Sequence, residues 1–240
     1  MGRGGAKLLI SDIDLAALER AKASLEEENI QVIAHACDVG DKSQVEAAVQ
    51  TAVDAFGQLD VAVANAGIVR AADFLEYSES DWDDVMRVNL KGVFLTGQVA
   101  AKHMVAAGKG GSIINMSSVN AVTAIPSIVA YNAAKGGINN LTRCMAVSLA
   151  KYNIRVNAVG PGSVMTDMLR QVASDKNKMT SVLSRTPMLR AADPIEIGNV
   201  VKFLAGSDSS YITGQILYAD GGRLALNYTV AVPEEALDSE

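Results

Sequence analysis

The chain has 240 residues, of which 49% are hydrophobic and 20% charged, and its formal net charge at pH 7 is −6. This acidic balance, with Lys and Arg scattered along the chain, argues against nucleic-acid binding, which needs a basic face. No apolar run reaches the roughly 20 residues of a membrane-spanning helix, and no signal segment opens the sequence. We therefore expect one soluble, cytoplasmic domain covering residues 1–240.

Short apolar runs that predict β-strands alternate with helical patterns along the chain. The runs are nearly uninterrupted and rich in Val, Ile, Leu and Ala, which is typical of parallel strands covered on both faces. This alternation predicts an α/β fold with a doubly wound parallel sheet between two helical layers. The predicted strands cover Lys7 to Ser11, Gln31 to Ala34, Val61 to Ala64, Ser112 to Met116, Arg155 to Val159 and Gln215 to Tyr218.

Helical patterns fill the intervals between these strands. The stretch from Ser43 to Glu46 is a capping-box signature, and apolar residues follow it at helical spacing. The acidic end of the chain, from Pro233 to Glu240, is expected to be a loose tail. Further helices are predicted near Leu15, from Asp81 to Ala107, from Tyr131 to Tyr152 and from Pro194 to Ala205.

The two cysteines, Cys37 and Cys144, stand alone rather than in a CxxC pair, and only two histidines, His35 and His103, accompany them. Metal sites of the common type need closer and more numerous ligands. We therefore predict no metal site and two buried thiols that behave as small hydrophobes.

Tyr131 and Lys135 are four residues apart, which places a phenol and an ammonium on the same face of one predicted helix. A nearby positive charge favours tyrosinate, so Lys135 is expected to lower the pKa of Tyr131. Tyr131 could then exchange a proton with an alcohol or a carbonyl. Taken alone, the same spacing also occurs on ordinary solvated helices.

Three further features lie at the carboxyl ends of predicted strands or in the helix after one. Ser118 comes thirteen residues before Tyr131 and follows the strand that ends near Met116. Asn65-Ala66-Gly67 follows another strand, and Asn89 lies in the next helical pattern. Open α/β sheets bind their ligands at this edge, so these residues are candidates for one site.

With these motifs, the chain resembles the classical short-chain dehydrogenase/reductase family from Ala6 to Arg223. The resemblance implies a Rossmann-like fold and reversible hydride transfer between a nicotinamide and a secondary alcohol or ketone. The matching segments are Asp38-Val39, Asn65-Ala66-Gly67, Asn89, Ser118, Tyr131 with Lys135, Pro161-Gly162 with Thr166, and Asp220-Gly221-Gly222.

The resemblance also assigns roles to four residues. Tyr131 is implied as the general acid/base, Ser118 as a hydrogen-bond partner of the reacting oxygen, and Lys135 as the group that tunes Tyr131 and holds the nicotinamide ribose. Asn89 is implied to anchor a water in a proton relay, although it could instead satisfy backbone groups. Ser117 is interpreted as a structural hydrogen-bonding residue.

Asp12 carries the prediction about the cofactor. Asp12 follows the predicted strand Lys7 to Ser11, which corresponds to the second strand of the family fold. An acid at the end of that strand accepts hydrogen bonds from the ribose of NAD and repels the 2′-phosphate of NADP, so NAD is expected in preference to NADP. The alternative is that Asp12 or Asp14 caps the helix near Leu15. By resemblance, Asp38 and Val39 border the adenine, although Asp38 could equally be a turn residue. The remaining cofactor contacts implied are Asn65, Ala66, Gly67, Pro161, Gly162 and Thr166.

The glycine-rich Thr-Gly-x-x-x-Gly-x-Gly loop of the family is absent from the sequence. Gly2, Gly4 and Gly5 do not replace it, because a strand rather than a helix follows them. We therefore expect the chain to be N-terminally truncated, without a central strand, the loop and a first helix. The alternative to a dehydrogenase is a non-catalytic scaffold or an inactive fragment that lacks cofactor binding.

The segment from Ser163 to Ala192 corresponds to the substrate-covering lid of the family. It is rich in apolar side chains, which suit an adaptable pocket but could equally pack a helical hairpin against the body. Family resemblance also implies a homotetramer or homodimer joined through the helices that carry Asn89 and Tyr131. The apolar lid residues are Met165, Met168, Leu169, Val172, Met179, Val182, Leu183, Met188 and Leu189.

Overall fold

The computed structural model describes residues 1–166, 169–170 and 175–234. It confirms a Rossmann-like α/β fold with parallel strands, and each predicted strand is present within two residues of its expected bounds at either end. Cofactors and other ligands of such a fold bind at the carboxyl ends of the strands. The strands are β1 (Leu8–Asp12), β2 (Val32–Ala36), β3 (Val61–Ala64), β4 (Gly111–Met116), β5 (Ile154–Pro161) and β6 (Ile216–Ala219).

The described helices follow the predicted patterns. The helix from Pro194 has the expected bounds, and a capping box of Asp193 and Glu196 holds its first turn. Before β1, a short 3₁₀ turn ends at Gly5, whose φ of 89° is left-handed, so the glycines close a helical turn as expected. The α-helices are α1 (Leu15–Glu27), α2 (Lys42–Phe56), α3 (Glu79–Met86), α4 (Gly92–Ala107), α5 (Val129–Leu149), α6 (Lys176–Leu183) and α7 (Pro194–Ala205).

The strands form two parallel sheets. One contains β1 and β2, and the other contains β3, β4, β5 and β6 in that order. Adjacent strands must lie about 4.8 Å apart to share a ladder. The family pattern places a further strand between β1 and β3, and no strand among the described residues occupies that position.

Helix α4 connects the two sheets. Leu95 and Val99 pack in a cluster with Cys37 and with Leu9 of β1. Further along the same helix, Met104 packs against Ile113 in a cluster that also includes residues of β3 and β5. Because α4 contributes to both clusters, it holds the two-stranded sheet against the rest of the protein.

Two predicted helix features need correction. Asp41, rather than Ser43, caps α2: its carboxylate accepts the backbone N–H groups of Ser43 and Gln44, so a carboxylate has replaced the hydroxyl as cap. The predicted helix from Asp81 to Ala107 is interrupted by a π-helical turn, Arg87–Lys91, that contains Asn89. Such turns are frequent at functional sites.

Among the described residues, no helix is long and apolar enough to cross a membrane. The same residues contain no group of His, Cys, Asp and Glu suited to a metal ion. Cys37 is buried as predicted, but the prediction for Cys144 is wrong because its side chain is exposed on α5. Of the predicted acidic tail, residues 235–240 lie outside the described part of the chain.

Candidate active site

Ser118 lies directly beyond the carboxyl end of β4, at the edge where open α/β sheets bind ligands. Its side chain is 7% exposed, and its Oγ accepts the N–H of Asn120 at 3.1 Å, which caps a short 3₁₀ turn. Since this bond uses an Oγ lone pair, the hydroxyl hydrogen of Ser118 remains available as a donor. Ser117 points into the core and donates to Asn139 Oδ1 at 2.6 Å, in line with its predicted structural role.

Tyr131 lies in the first turn of α5 and faces Ser118. Burial raises the pKa of the Tyr131 phenol, and a hydrogen bond with Ser118 lowers it by less, so that the pKa lies above its ordinary value. The predicted net lowering of the Tyr131 pKa is therefore wrong for this structure. Burial, which the sequence pattern does not reveal, disfavours tyrosinate more than the neighbouring groups favour it.

Lys135 is one turn further along α5 and is only 4% exposed. Its Nζ donates to the carbonyl oxygen of Met116 at 2.7 Å, just before Ser118, and lies 5.4 Å from the centre of the Tyr131 ring. Burial lowers the pKa of Lys135 from its ordinary 10.5 to about 8. An ammonium that titrates near neutral pH is thus held beside Tyr131.

A ladder of polar side chains fixes α5 against β4. Asn139 Nδ2 donates to Tyr218 Oη at 3.0 Å, while its Oδ1 accepts from Ser117. Thr142 Oγ1 accepts from Asn115 Nδ2 at 2.9 Å. Sequence reasoning missed Asn139 and Thr142, although their spacing of four and seven residues from Lys135 places all three on one helix face.

Asn89 is fully buried in the π-helical turn and binds the loop after β3. Its Oδ1 accepts the N–H of Ile68 at 2.8 Å, and its Nδ2 donates to the carbonyl oxygen of Ile68 at 2.9 Å. A Cβ built on Gly67 would lie 3.4 Å from Asn89 Oδ1 and 3.8 Å from Lys135 Nζ. Asn89 therefore satisfies backbone groups, as the alternative predicted, and also brings the exposed Asn65-Ala66-Gly67 turn beside Lys135.

Arg87 and Lys91, on either side of Asn89, clamp the turn after β2. Arg87 Nη1 lies 2.9 and 2.7 Å from the two carboxylate oxygens of Asp38, and Lys91 Nζ donates to the carbonyl oxygen of Gly40 at 3.1 Å. The pKa of Arg87 is raised, mainly by its hydrogen bond to Asp38. Asp38 also accepts the N–H of Gly40, so it is a turn residue. Its role at the adenine, like that of Val39, stays a prediction.

Asp12 and Asp14, at the end of β1, have separate structural roles. Asp14 caps α1 by accepting the N–H of Ala17 at 3.0 Å, whereas Asp12 does not cap the helix and accepts the N–H of Asp14 at 2.9 Å. Asp12 is exposed to solvent. The position of its carboxylate beyond a strand end suits the hydroxyls of a ribose.

The turn after β5 lies at the same sheet edge as Ser118. Gly162 N donates to the carbonyl oxygen of Ala219 at 3.0 Å, while Pro161 forms the last pair of the β5–β6 ladder. Thr166 is exposed beyond this turn. These three residues are therefore at the expected edge, and their contacts with a cofactor stay predictions.

The lid segment contributes both to the core and to the surface. Met179 and Leu183 of α6 are buried, as the packing alternative predicted, whereas Met188 is 59% exposed. The chain after α6 folds back on the end of β6, where Met188 N donates to the carbonyl oxygen of Gly221 at 3.1 Å. Met168 and Val172, two of the predicted lid residues, lie outside the described part of the chain.

The described residues fit the two ends of a nicotinamide dinucleotide. Lys135 and the exposed turn at Gly67 suit the nicotinamide ribose, because a Cβ at Gly67 would lie only 3.8 Å from Lys135 Nζ and glycine leaves that space free. Asp12 suits the adenine ribose. For the pyrophosphate between them, no part of residues 1–166, 169–170 and 175–234 supplies a glycine-rich turn from a strand into a helix.

Comparisons with known proteins identify relatives of this chain. A family model described as enoyl-(acyl carrier protein) reductase matches residues 1–223. The chain is 38% identical over 224 residues to 5-keto-D-gluconate 5-reductase of Escherichia coli K12. This alignment covers 93% of the chain and 88% of the reductase. It is 39% identical to the 3-oxoacyl-[acyl-carrier-protein] reductase FabG of Thermotoga maritima, covering 91% of the chain and 87% of FabG.

A solved structure shares the fold. Gluconate 5-dehydrogenase from Burkholderia cenocepacia, in complex with NADP and tartrate, superimposes with a TM-score of 0.88 at 34% identity, covering 94% of this chain and 88% of that one. Because that complex contains NADP, the comparison does not support the expected preference for NAD. The coverage of the relatives likewise does not support the expected N-terminal truncation.

Proposed function

Because the chain belongs to the classical short-chain dehydrogenase/reductase family, we propose that it transfers hydride between a nicotinamide cofactor and a secondary alcohol or ketone. The single observation that carries this proposal is the convergence of Ser118, Tyr131 and Lys135 at the carboxyl end of β4. The names of its relatives further suggest a keto sugar acid as substrate. A scaffold without chemistry would not need to bury a lysine beside a tyrosine at a ligand-binding edge.

Each residue of the site has a distinct role in this proposal. In the reductive direction, the Tyr131 phenol donates its proton to the carbonyl oxygen, and the raised pKa keeps the phenol protonated at neutral pH. The Ser118 hydroxyl donates a hydrogen bond to the same oxygen. The Lys135 ammonium stabilises the tyrosinate that forms, and Asn89 holds the Gly67 turn open beside it. A bound nicotinamide supplies or accepts the hydride.

The proposal is tested by following the oxidation of NADH and NADPH with a panel of ketones that includes 5-keto-D-gluconate. We expect turnover with at least one ketone and reversal of the reaction with the corresponding alcohol. Cofactor titration should show saturable binding under the same conditions. Folded protein that binds neither cofactor and turns over no ketone would instead favour the scaffold function.

Asp12 is proposed to favour NAD over NADP by accepting hydrogen bonds from the adenine ribose and repelling a 2′-phosphate. Asp12→Ala is expected to lower the ratio of kcat/KM for NAD to kcat/KM for NADP about 10-fold, since one good charge-assisted hydrogen bond contributes roughly 1.4 kcal/mol. Asp14→Asn is the matched control, because Asn still caps α1 while removing a charge two residues away. An unchanged ratio in Asp12→Ala would refute this role.

A homodimer or homotetramer is proposed to form through the exposed faces of α4 and α5. An open groove of about 650 Å³ lies between these helices and is lined by apolar residues that include Phe94, Leu141 and Tyr152. Val147, on α5, is 81% exposed. An exposed apolar patch of this kind favours association with another copy of the chain.

Val147→Glu is therefore expected to reduce the assembly to single chains, because association would bury the new charge without a partner. Light scattering coupled to size-exclusion chromatography measures this change. Leu75→Glu is the control, since Leu75 is 86% exposed but lies far from the two helices in sequence, on a 3₁₀ turn. An assembly that keeps its mass in Val147→Glu contradicts the proposed interface.

A further inference from the structure

Two arginines that the proposed chemistry does not use lie where the chain after α6 packs against the chain after β6. Arg185 follows α6, and Arg223 follows the Asp220-Gly221-Gly222 turn. A Cβ built on Gly221 would lie 2.8 Å from Thr186 Cγ2, and Val230 N donates to the carbonyl oxygen of Ser184 at 2.8 Å. These contacts bring the two cationic segments together.

Neither guanidinium has an acidic partner within the described chain. Arg223 donates no side-chain hydrogen bond there, and Arg185 donates only from Nε to the carbonyl oxygen of Ser181, at 2.9 Å. Asp220 lies near Arg223, but its two carboxylate oxygens accept the N–H groups of Gly222 and Leu224 at 2.9 and 2.8 Å. The Asp220 carboxylate is therefore already engaged by backbone groups.

The environment of Arg223 favours an added anion. The side chains of Arg185 and Arg223 are both partly buried. Burial and the positive charge of Arg185 both lower the pKa of Arg223, and Asp220 only partly opposes this. Two like charges held together in a partly desolvated place repel each other, and a carboxylate bound between them would remove that repulsion.

We propose that Arg185 and Arg223 bind the carboxylate of the substrate while its ketone faces Tyr131 and Ser118. This inference rests on the proposed function. Adjacent strands are about 4.8 Å apart, so the ends of β4 and β6, which are separated by β5, lie roughly 10 Å apart. The substrate class is therefore a ketone whose carboxylate is several carbon atoms from the carbonyl, as in a keto sugar acid.

Binding is measured first, because it does not depend on turnover. D-gluconate and D-glucitol differ only in carrying a carboxylate or a CH₂OH group at one end. We expect D-gluconate to bind the wild-type protein at least 10 times more tightly than D-glucitol in calorimetric titrations at constant ionic strength. Arg223→Gln and Arg185→Gln should each weaken the binding of D-gluconate at least 10-fold, and Arg223→Lys should weaken it less than Arg223→Gln.

Arg190→Gln is the matched control, because Arg190 belongs to the same segment but is already paired with Glu196 at 2.6 and 2.8 Å. It should leave the affinity for D-gluconate unchanged. The proposal is overturned if D-gluconate binds no better than D-glucitol, or if neither Arg223→Gln nor Arg185→Gln weakens its binding. Each variant is first shown to unfold at the temperature of the wild type.

Kinetics separate this inference from the proposed function. L-sorbose is 5-keto-D-gluconate with a CH₂OH group in place of the carboxylate, so it serves as the neutral substrate. Arg223→Gln should raise KM for 5-keto-D-gluconate at least 10-fold and leave KM for L-sorbose unchanged. An equal change in KM for both substrates overturns the arginine site but leaves the proposed dehydrogenase function standing. If no ketone is turned over while D-gluconate still binds selectively, only the proposed function is overturned.

Discussion

Tyr131→Phe is expected to lower kcat roughly 1,000-fold, because it removes the hydroxyl that lies beside Ser118 and is proposed to donate the proton. A positioned general acid or base contributes about 10² to 10⁴ in rate, so this loss corresponds to roughly 4 kcal/mol of transition-state stabilisation. The ring remains in place, and cofactor affinity should stay within about a factor of two of the wild type. Steady-state kinetics and cofactor titration measure the two effects separately.

Tyr77→Phe provides the matched control for the loss of a phenol. The Tyr77 hydroxyl donates to the carbonyl oxygen of Arg70 at 3.1 Å on the exposed surface, so its removal should leave kcat unchanged. If Tyr131→Phe keeps more than a tenth of the wild-type kcat, Tyr131 is not the proton donor. A similar loss of kcat and of cofactor binding would show instead that the Tyr131 hydroxyl itself holds the cofactor.

Lys135→Met has the second large effect and acts on activity and stability in opposite directions. Removing the ammonium takes away the charge that stabilises tyrosinate, and kcat/KM should fall at least 100-fold. In the wild type, the rate of ketone reduction should decline as the pH rises through about 8, where Lys135 loses its proton. This inflection should be absent from the residual activity of the variant.

Stability should respond to the same titration. The pKa of Lys135 is about 8 in the folded protein and 10.5 in the unfolded chain. Between pH 8 and pH 10.5 the unfolded chain therefore binds more protons than the folded protein. The wild type therefore gains stability as the pH rises through this window, by about 3 kcal/mol in total, and the full cost of the buried charge is present below pH 8. Lys135→Met avoids that cost but loses the hydrogen bond to Met116, which contributes about 1 kcal/mol.

We therefore expect Lys135→Met to be more stable than the wild type by about 1–2 kcal/mol at pH 7, with the difference shrinking between pH 8 and 9.5. Urea unfolding at several pH values measures it. Lys151→Met is the control, since Lys151 also lies 5.0 Å from a tyrosine ring centre but is exposed. A difference that does not change with pH would contradict a buried Lys135 with a lowered pKa.

The sequence predicted the positions of the main chemical groups because the strand ends determine where they meet. Ser118 follows β4, and Tyr131 and Lys135 share one face of α5, so these positions are candidates for one edge of the sheet, while their roles rest on the family resemblance. It could not predict the direction of the Tyr131 pKa shift, since this depends on burial by segments distant in sequence. The Arg87–Asp38 pair, separated by 49 residues, carries no local signal either.

Other differences have local causes. Asp41, two residues before Ser43, caps α2 because its carboxylate accepts the N–H groups of both Ser43 and Gln44. The sequence predicts one continuous helix through Asn89. The π-helical turn was not predicted, because a helical pattern continues on both sides of it.

The most direct measurement follows the hydride itself. Reduction of 5-keto-D-gluconate, or of whichever ketone the panel identifies, is carried out with nicotinamide cofactor deuterated at C4 on either face, and the product is examined by NMR. The account predicts deuterium on the new carbinol carbon from one of the two faces, with Tyr131→Phe transferring it at least 100 times more slowly. A carbinol carbon that carries only solvent-derived hydrogen with both labelled cofactors would contradict hydride transfer at this site.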